Sequence, residues 1–469
     1  MPAPSTGAEL EGLLRESLAQ ASGRRGQTVV SVTSRFECED PVATVFASRR
    51  AGEPFFCWEQ PDRDIRIAAL GRVHEITSRG PHRFHEMAAD CAHLSGDAVT
   101  RGGGGFTTGP VWTGGFAFDD ETPSDGRERD PAWASFEPAS MILPEIAIQS
   151  SREGTFITVN LMAGPGRDAG KLVSAAMARV TGLLHTELPM IDPHPSQSPS
   201  IESDRSPDDY ERSVEAAVSR IKAGEIEKVV LARKVVVKAP SAHDPAAIFG
   251  ALRLGFPSCF NFCVGSGEAA FIGASPELLV RCVGRGVATV GLAGSTRRSS
   301  DPAVDDHLAQ RLLGSHKDRG EQSVVVRRIV KTLSRISVWV EAADEPEIIK
   351  VANIQHLGTP VYAQLAQPRT AIELAGLLHP TPAVGGEPWK KASQVMAEVE
   401  QMDRGWYAGP VGWMDGSGDG EFCVALRSAL IRDREAHLYA GVGVVADSDP
   451  AAELAETEIK LGALLPLLS

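Results

Sequence analysis

Long apolar runs are absent from this chain of 469 residues. No stretch reaches the roughly 18 consecutive apolar residues of a membrane span, so we expect no transmembrane helix. The first residues, MPAPSTGAEL, lack a basic segment followed by an apolar one, so we also expect no secretory signal. The seven cysteines are scattered and none forms a CxxC motif, which favours reduced core thiols in a cytoplasmic protein over a zinc or redox site.

Positive charge is in deficit, since 47 Lys and Arg residues face 61 Asp and Glu residues and give a formal net charge of −14. This balance argues against non-specific nucleic-acid binding and gives no reason to expect a membrane partner. It does not exclude an anionic substrate, because a bound metal and a few local cations can reverse the local field. Monomer is the default expectation for the oligomeric state.

The chain divides by composition at one place. Residues 1–186 are rich in β-type segments, whereas residues 187–205 are rich in Pro, Ser and Asp and predict a surface connector. A helix start follows, with Ser206 as N-cap and Pro207 at the first helical position. Residues 206–469 then contain the candidate catalytic, substrate-binding and metal-binding residues. The pattern favours a single large α+β domain with antiparallel sheets.

Two pairs of acidic residues are spaced i,i+3 on predicted helices, Asp318 with Glu321 and Glu453 with Glu456. Acidic residues near helix starts are commonly solvated caps that complement the helix dipole. Two such pairs beside glycine-rich loops also suit a Mg²⁺ ion, which takes one or two protein carboxylates and completes its shell with water and substrate. Both interpretations stay open at this stage.

Lys228 and Glu277 each begin a predicted strand, in KVVLARKVVV and GASPELL. A solvent-exposed position is the ordinary interpretation of either residue. If Lys228 faced the core, its amine would suit a general base. A buried Glu277 near other carboxylates would be an acid with a raised pKa.

Further candidates lie near the C-terminus. Arg427 interrupts an apolar strand in FCVALRSALI, which predicts a buried carboxylate partner. Lys460 follows Glu456 by four residues, a spacing that fits an ion pair or a substrate contact. Gly441 and Gly443 in AGVGVV indicate either a ligand close to the backbone or tight strand packing. The segment is no dinucleotide fingerprint, because the third glycine and following helix are missing, and no Walker A motif occurs.

These segments resemble the chorismate-utilising enzymes, which include isochorismate, salicylate, anthranilate and aminodeoxychorismate synthases. The likeness covers residues 206–469, with weaker similarity before them. It is carried by the ordered series KVVLAR, GASPELL, LAGS, SHKDRGE, IQHLGTP, LHPTPAVGG, GWYAGPVGW, VALRSALI, AGVGVVADSDP and AETEIKL. The resemblance implies the fold of anthranilate synthase component I, with two layered antiparallel sheets flanked by helices.

The resemblance also implies roles for individual residues. Lys228 matches the base that activates water for attack at C2 of chorismate, and Glu277 matches the acid that protonates the departing C4 hydroxyl. The Mg²⁺ carboxylates match Glu321 and Glu456, with Asp318 and Glu453 acting through waters. The substrate-binding positions match Gly294, Ser295, His356, Tyr407, Arg427, Gly441, Gly443 and Lys460.

Within the family, the residues favour a Mg²⁺-dependent isochorismate synthase. Ala293 stands where aminodeoxychorismate synthases commonly carry a lysine nucleophile, and anthranilate synthases usually lack the lysine found here at position 228. Salicylate synthase, which adds pyruvate elimination, is the first alternative, and a catalytically inactive chorismate-binding module is another. We expect no obligatory glutaminase partner. Menaquinone and siderophore pathways both remain open for the product.

Overall fold

The computed structural model describes residues 4–24, 26–107, 109–120, 129–191 and 198–468. Residues 192–197 of the predicted connector lie outside this description. The α-helices are α1 Pro4–Ala21, α2 Pro41–Ser48, α3 Arg83–Gly96, α4 Ala169–Thr181, α5 Pro207–Lys222, α6 Pro245–Gly255, α7 Pro302–Gly314, α8 His316–Leu333, α9 Ala371–Leu378, α10 Trp389–Val399, α11 Pro450–Leu461 and α12 Leu465–Leu468.

The strands alternate with these helices along the chain. They are β1 Thr28–Arg35, β2 Phe55–Gln60, β3 Ile65–Leu70, β4 His74–Ser78, β5 Val99–Gly102, β6 Trp112–Phe116, β7 Ala139–Leu143, β8 Ile146–Ser151, β9 Gly154–Ala163, β10 Ser200–Ser203, β11 Lys228–Lys238, β12 Phe260–Ser266, β13 Ala269–Ser275, β14 Leu278–Val283, β15 Gly286–Arg297, β16 Ser337–Ala342, β17 Glu347–Lys350, β18 Ile354–Leu365, β19 Gly386–Glu387, β20 Pro410–Met414, β21 Gly420–Val424, β22 Ser428–Arg432 and β23 Glu435–Val444. Short 3-10 turns lie at Pro61–Arg63 and Pro131–Trp133.

Two sheets contain these strands. The larger has the order β10-β11-β23-β22-β13-β12-β2-β3-β8-β9-β1-β5, with β19 paired to the start of β11. The smaller has the order β16-β18-β15-β14-β21-β20-β6-β7-β4, with β17 paired to β18. Among the described strands, the pairs are antiparallel apart from the parallel pair β1–β5. The predicted arrangement of two layered antiparallel sheets is confirmed.

One apolar core lies between the two sheets and a second lies behind the larger one. The first contains Trp58 of β2 together with Phe116 and Phe422 of the smaller sheet. The second packs Leu14 of α1 and Phe249 of α6 against the other face of the larger sheet. Alternate residues of a strand point to opposite faces, so a sheet covered on both sides is apolar on both. Strands from residues 1–186 and from residues 206–469 share both sheets.

Several predicted elements have different limits in the structure. The sequence predicts helical structure through residues 302–336, and the structure has two helices there, because Ser315 ends α7 and caps α8 by accepting a hydrogen bond from the amide of Asp318 at 3.2 Å. The sequence likewise predicts helical structure through residues 452–467, where the structure has α11 and α12. The end of the predicted connector is the edge strand β10, whose four residues are exposed and pair with β11. Exposure explains its polar, loop-like composition.

Strand order brings the ends of distant segments together around one point. The hairpin β22–β23 lies between β11 and β13 in the larger sheet. The helices α5 and α11 pack beside β23, and α8 packs on β15 of the smaller sheet. Within the described residues, no helix is long and apolar enough to cross a membrane. All seven cysteines are free thiols, and only Cys38 is partly exposed.

Candidate functional site

A cavity of about 640 Å³ opens between the part of the larger sheet that contains β11 and β23 and the smaller sheet. Both sheets and the helices α8 and α11 contribute to its walls. The structure brings together every predicted substrate-binding residue on this lining: Gly294, Ser295, His356, Tyr407, Arg427, Gly441, Gly443 and Lys460. The predicted acid Glu277 and the predicted metal ligands Glu321 and Glu456 line it as well.

A second cavity of about 480 Å³ lies between the sheets around Phe136 and Trp406. Its described lining contains the carboxylates Glu75 and Glu137 and no Lys, Arg or His side chain. This cavity therefore does not suit an anionic ligand, whereas the first one does.

Lys228 begins β11 and is fully buried, with 0% of its surface exposed. The solvent-facing interpretation of this lysine is therefore excluded. Its Nζ atom lies 2.9 Å from Oε1 of Glu321 on α8. A Cβ atom on Gly443 would come within 2.0 Å of that same oxygen, so only glycine at position 443 leaves room for the ion pair. Gly443 thus has a packing reason beside its place on the lining.

Glu277 lies between β13 and β14, directly after Pro276, and is only 2% exposed. It forms no salt bridge with any described residue. Burial raises its pKa to about 8, and the positive charges of Lys228 and Arg427 offset only part of that effect. The side chain is therefore a protonated acid at neutral pH, as expected if it were buried.

Arg427 sits between β21 and β22 with a positive φ of 49°, and its side chain is buried. Its Nη2 atom donates to Nε2 of His356 at 2.9 Å, so the predicted carboxylate partner is wrong and a histidine takes that place. Nδ1 of His356 lies 3.3 Å from the carbonyl oxygen of Gly294. Burial and the charge of Arg427 hold the pKa of His356 well below its usual value, so the ring is neutral and protonated on Nδ1. Arg427 Nε is buried without a hydrogen-bond partner in the described residues.

Glu456 on α11 accepts a hydrogen bond from Ser295 Oγ at 2.6 Å and pairs with Lys460 Nζ at 2.7 Å. Burial raises the pKa of Glu456, but Lys460 and Ser295 outweigh burial and bring it down to about 2. The carboxylate stays ionised across the physiological range. Lys460 also donates to the carbonyl oxygen of Gly441 at 2.9 Å. The predicted i,i+4 ion pair is confirmed.

Lys228, Asp318 and Glu453 are near the cavity but are not among the residues that line it, and Lys228 reaches it through its contact with Glu321. Burial raises the pKa of Asp318, and its Cβ atom would approach a Cβ on Gly294 to 2.9 Å. Burial also raises the pKa of Glu453, although Lys317 Nζ at 2.6 Å from its Oε1 partly offsets the effect. Sequence reasoning missed Lys317. Its position directly before Asp318 in SHKDRGE was the available signal.

Tyr407 forms one wall of the cavity and stacks on Tyr439, with ring centroids 5.1 Å apart and planes inclined by 17°. Burial raises the pKa of Tyr407 to about 12, so the phenol keeps its proton. Arg404 lines the cavity beside it and was also missed, although it follows Glu400 by four residues in EVEQMDR, just beyond the end of α10.

The acidic residues show how a metal could be held. In the part of the chain that the structure describes, no three His, Cys, Asp or Glu side chains are gathered as a preformed metal cluster. Glu321 and Glu456 nevertheless both line the cavity, and each is contacted by a lysine through Oε1. The second oxygen of each carboxylate is a candidate ligand. A two-carboxylate site fits Mg²⁺, which keeps several waters.

The cavity contains buried cations, a protonated acid and paired carboxylates. These groups agree with the class of protein that a matching family profile defines. The profile described as "chorismate binding enzyme" matches residues 16–469, and the chain belongs to this family. The predicted family is thereby confirmed.

Individual relatives cover the chain almost completely. It is 35% identical over 463 residues to the salicylate biosynthesis isochorismate synthase of Pseudomonas aeruginosa, covering 98% of this chain and 94% of that one. The menaquinone-specific isochorismate synthase MenF of Escherichia coli superimposes with a TM-score of 0.77 at 25% identity, covering 98% of this chain and all of that chain. Anthranilate synthase component I of Streptococcus pneumoniae matches with a TM-score of 0.68, 21% identity and coverage of 86% and 92%. The predicted fold is confirmed by this last likeness.

Proposed function

We propose that the protein is an isochorismate synthase, an isomerase that converts chorismate to isochorismate. The observation that carries the proposal is the placement of Lys228 and Glu277. Lys228 begins a strand of the larger sheet, whereas Glu277 stands at the head of β14 in the smaller sheet, and the cavity lies between those sheets. A base and an acid from different sheets can reach opposite faces of a ring held between them.

The cavity offers cationic groups for a substrate with two carboxylates. Arg427 has a buried Nε–H with no partner in the described chain, and Lys460 stands at the same cavity. A buried donor without an acceptor is unfavourable, so a ligand carboxylate at Arg427 would satisfy it. His356 is neutral, so it accepts a hydrogen bond from the guanidinium without adding a charge. These contacts would fix the ring orientation before reaction.

Mg²⁺ would be held by Glu321 and Glu456, with Asp318 and Glu453 placed to hold water molecules around it. Bound there, it would act as a Lewis acid on the ring carboxylate of the substrate and favour addition at C2. The fit rests on the second oxygen of each lining carboxylate, which the lysine contacts leave available.

The protein residues would then move two protons. Lys228, acting with a neutral amine, would accept a proton from a water molecule as that oxygen bonds to C2, and the Glu321 carboxylate 2.9 Å from Nζ would stabilise the ammonium that forms. Glu277 donates its proton to the C4 hydroxyl, which leaves as water while the ring double bonds shift. One hydroxyl is added and one is lost, so chorismate and isochorismate are isomers. The raised pKa of Glu277 keeps the required proton in place at neutral pH.

Product analysis by HPLC tests the proposal. Purified protein is incubated with chorismate and Mg²⁺, with and without ammonium, and Lys228→Ala is the control. We expect isochorismate without pyruvate. Salicylate with pyruvate would instead make the protein a salicylate synthase, an ammonium-dependent aromatic amine would make it an anthranilate or aminodeoxychorismate synthase, and saturable binding without product would make it a binding module.

The proposal extends to the compartment, the partners and the oligomeric state of the enzyme. Seven free thiols fit a reducing, cytoplasmic compartment. Water as the nucleophile requires no ammonia donor, so no glutaminase subunit is needed, and we propose a monomer. The two isochorismate synthases named above are named for salicylate and menaquinone synthesis, and isochorismate would suit either pathway.

A further inference from the structure

At the wall of the cavity, Glu400 and Arg404 form a buried ion pair that the proposed reaction does not use. Their exposed fractions are 5% and 2%. Arg404 Nε donates to Glu400 Oε1 at 2.7 Å and Nη2 donates to Oε2 at 2.6 Å, which makes the pair bidentate. The guanidinium also lies 4.3 Å from the ring centroid of Phe118.

The pair is bonded to the strand that carries Lys228. Arg404 Nη2 donates to the carbonyl oxygen of Val230 at 3.0 Å, and Glu400 Oε2 accepts from the amide of Ala232 at 2.9 Å. Val230 and Ala232 follow Lys228 by two and four residues and so share its face of β11. Two hydrogen bonds from this pair to the backbone of β11 therefore fix the position of Lys228 relative to the cavity.

The pair is also bonded to two other walls of the cavity. Arg404 Nη1 donates to the carbonyl oxygen of Val384 at 2.8 Å, and the next residue, Gly385, accepts from the amide of Val230 at 2.7 Å. The carbonyl of Arg404 accepts from the amide of Tyr407 at 3.0 Å. The strand of Lys228 and the segment around Val384 thus meet at a single side-chain pair, and the backbone of Arg404 leads directly into the turn to Tyr407.

Substrate binding does not explain Arg404, although it lines the cavity. Each of its three nitrogens already donates to the protein, and four of its five N–H groups are used in these bonds. Stability is also a weak explanation, because a buried ion pair is often no more stable than an apolar replacement. What such a pair supplies better than apolar contacts is fixed geometry.

We propose that Glu400 and Arg404 are positioning residues that set the distance between the amine of Lys228 and the reacting ring. This inference rests on the proposed isochorismate synthase function, since it assigns Lys228 as the base. A misplacement of about 1 Å far from the reacting atoms can lower a rate by about 100-fold. The pair is placed to prevent such a shift.

The main variant is Arg404→Met combined with Glu400→Gln, which leaves no unpaired buried charge and keeps an acceptor for the amide of Ala232. Arg404→Lys is the conservative variant, because it keeps the charge but cannot bond Glu400, Val230 and Val384 together. Arg253→Met is the matched control. Arg253 also bonds carboxylates, the buried Glu59 and the partly exposed Asp40, but does not line the cavity.

We expect the double variant and Arg404→Lys to be folded and to show kcat reduced by about 100-fold, with KM for chorismate within about threefold of wild type. Amide hydrogen exchange should become faster at Val230 and Ala232 in the double variant. Arg253→Met should keep the wild-type kcat. Wild-type kcat per folded molecule in either the double variant or Arg404→Lys would overturn the proposal.

Failure of the proposed function gives a different result. If wild-type protein makes no isochorismate, the reaction assignment fails, while the exchange measurement still reports on the positioning of β11. Unchanged exchange at Val230 and Ala232 in the double variant would then overturn the positioning role independently of activity.

Discussion

Two sets of buried carboxylates in this molecule differ in their partners. At the far end of β2, Glu59 is 1% exposed and accepts from Arg66 Nε at 2.9 Å and Arg253 Nε at 2.7 Å. Glu421 on β21 is similarly buried and contacts Arg63 and Arg281. In the cavity, Glu277 is equally buried and has no salt-bridge partner among the described residues.

The difference teaches that burial alone does not mark a functional acid. A buried carboxylate with two arginines is a structural ion pair, because the fixed donors replace the lost water. A buried carboxylate without them keeps its proton, as the pKa of about 8 of Glu277 indicates. The five predictions that follow test this contrast between the paired set and the cavity set.

Metal removal should have the largest effect. Chelation with EDTA is expected to abolish turnover and added Mg²⁺ to restore it, because the proposed reaction uses a Mg²⁺ ion held by Glu321 and Glu456. Calorimetric titration of Mg²⁺ in the presence of chorismate should show a site that is lost in Glu456→Gln and kept in Glu458→Gln, a largely exposed neighbour. Full activity in EDTA would contradict the proposed metal site.

Replacement of the buried lysine comes next. Lys228→Ala should lower kcat by about 10³-fold or more, within the range that general bases contribute. Circular dichroism and a thermal melt establish that the variant is folded. A variant with more than a tenth of wild-type activity would remove Lys228 from the role of base.

Glu277→Gln and Glu59→Gln form a matched pair. The first should lower kcat by about 100-fold or more, because the amide cannot supply the proton. The second should leave kcat unchanged and lower stability, since it weakens bonds to Arg66 and Arg253. Steady-state kinetics and denaturant melts on both proteins measure the contrast, and equal losses of kcat in the two would refute it.

The pH dependence should follow the proton of Glu277. Its folded pKa of about 8 lies above the ordinary value, so the protonated acid is lost, and kcat falls, as pH rises through about 8. The same shift contributes stability that is fully present below the ordinary pKa near 4.5 and is lost as pH rises through about 8. Rate and stability profiles from pH 5 to about 9.5 should both lose this feature in Glu277→Gln.

The smallest effect should come from Arg253→Met. Glu59 keeps Arg66, and Asp40 keeps the amides of Val42 and Ala43, so no charge is left unpaired. We expect a loss of about 1–3 kcal/mol in the free energy of unfolding. Urea denaturation measures it, and a change in kcat would show that the paired set is coupled to the cavity.

The local pattern of apolar and polar residues was enough to predict most strands. The i,i+3 spacing was enough to predict that the two acidic residues of α8 share one helix face, as do those of α11. The local pattern did not reveal the break at Ser315, although the apolar period stops at Leu313 and Ser315 is a residue that commonly caps a new helix. Nor did it reveal that Arg427 meets His356, since these residues belong to segments 71 positions apart that only the sheets bring together. The burial of Lys228 likewise depends on α8, which follows it by roughly a hundred residues.

The order of strands also constrains how the chain becomes a folded protein. The hairpin β22–β23 is near the C-terminal end of the described chain, yet it fills the middle of the larger sheet between β11 and β13. Until a ribosome has made residues 428–444, both neighbouring strands expose unpaired edges, which are prone to aggregate. A nascent chain stopped before Ser428 would therefore be a substrate for chaperones and proteases, and this sheet can be completed only once residues 428–444 have been made.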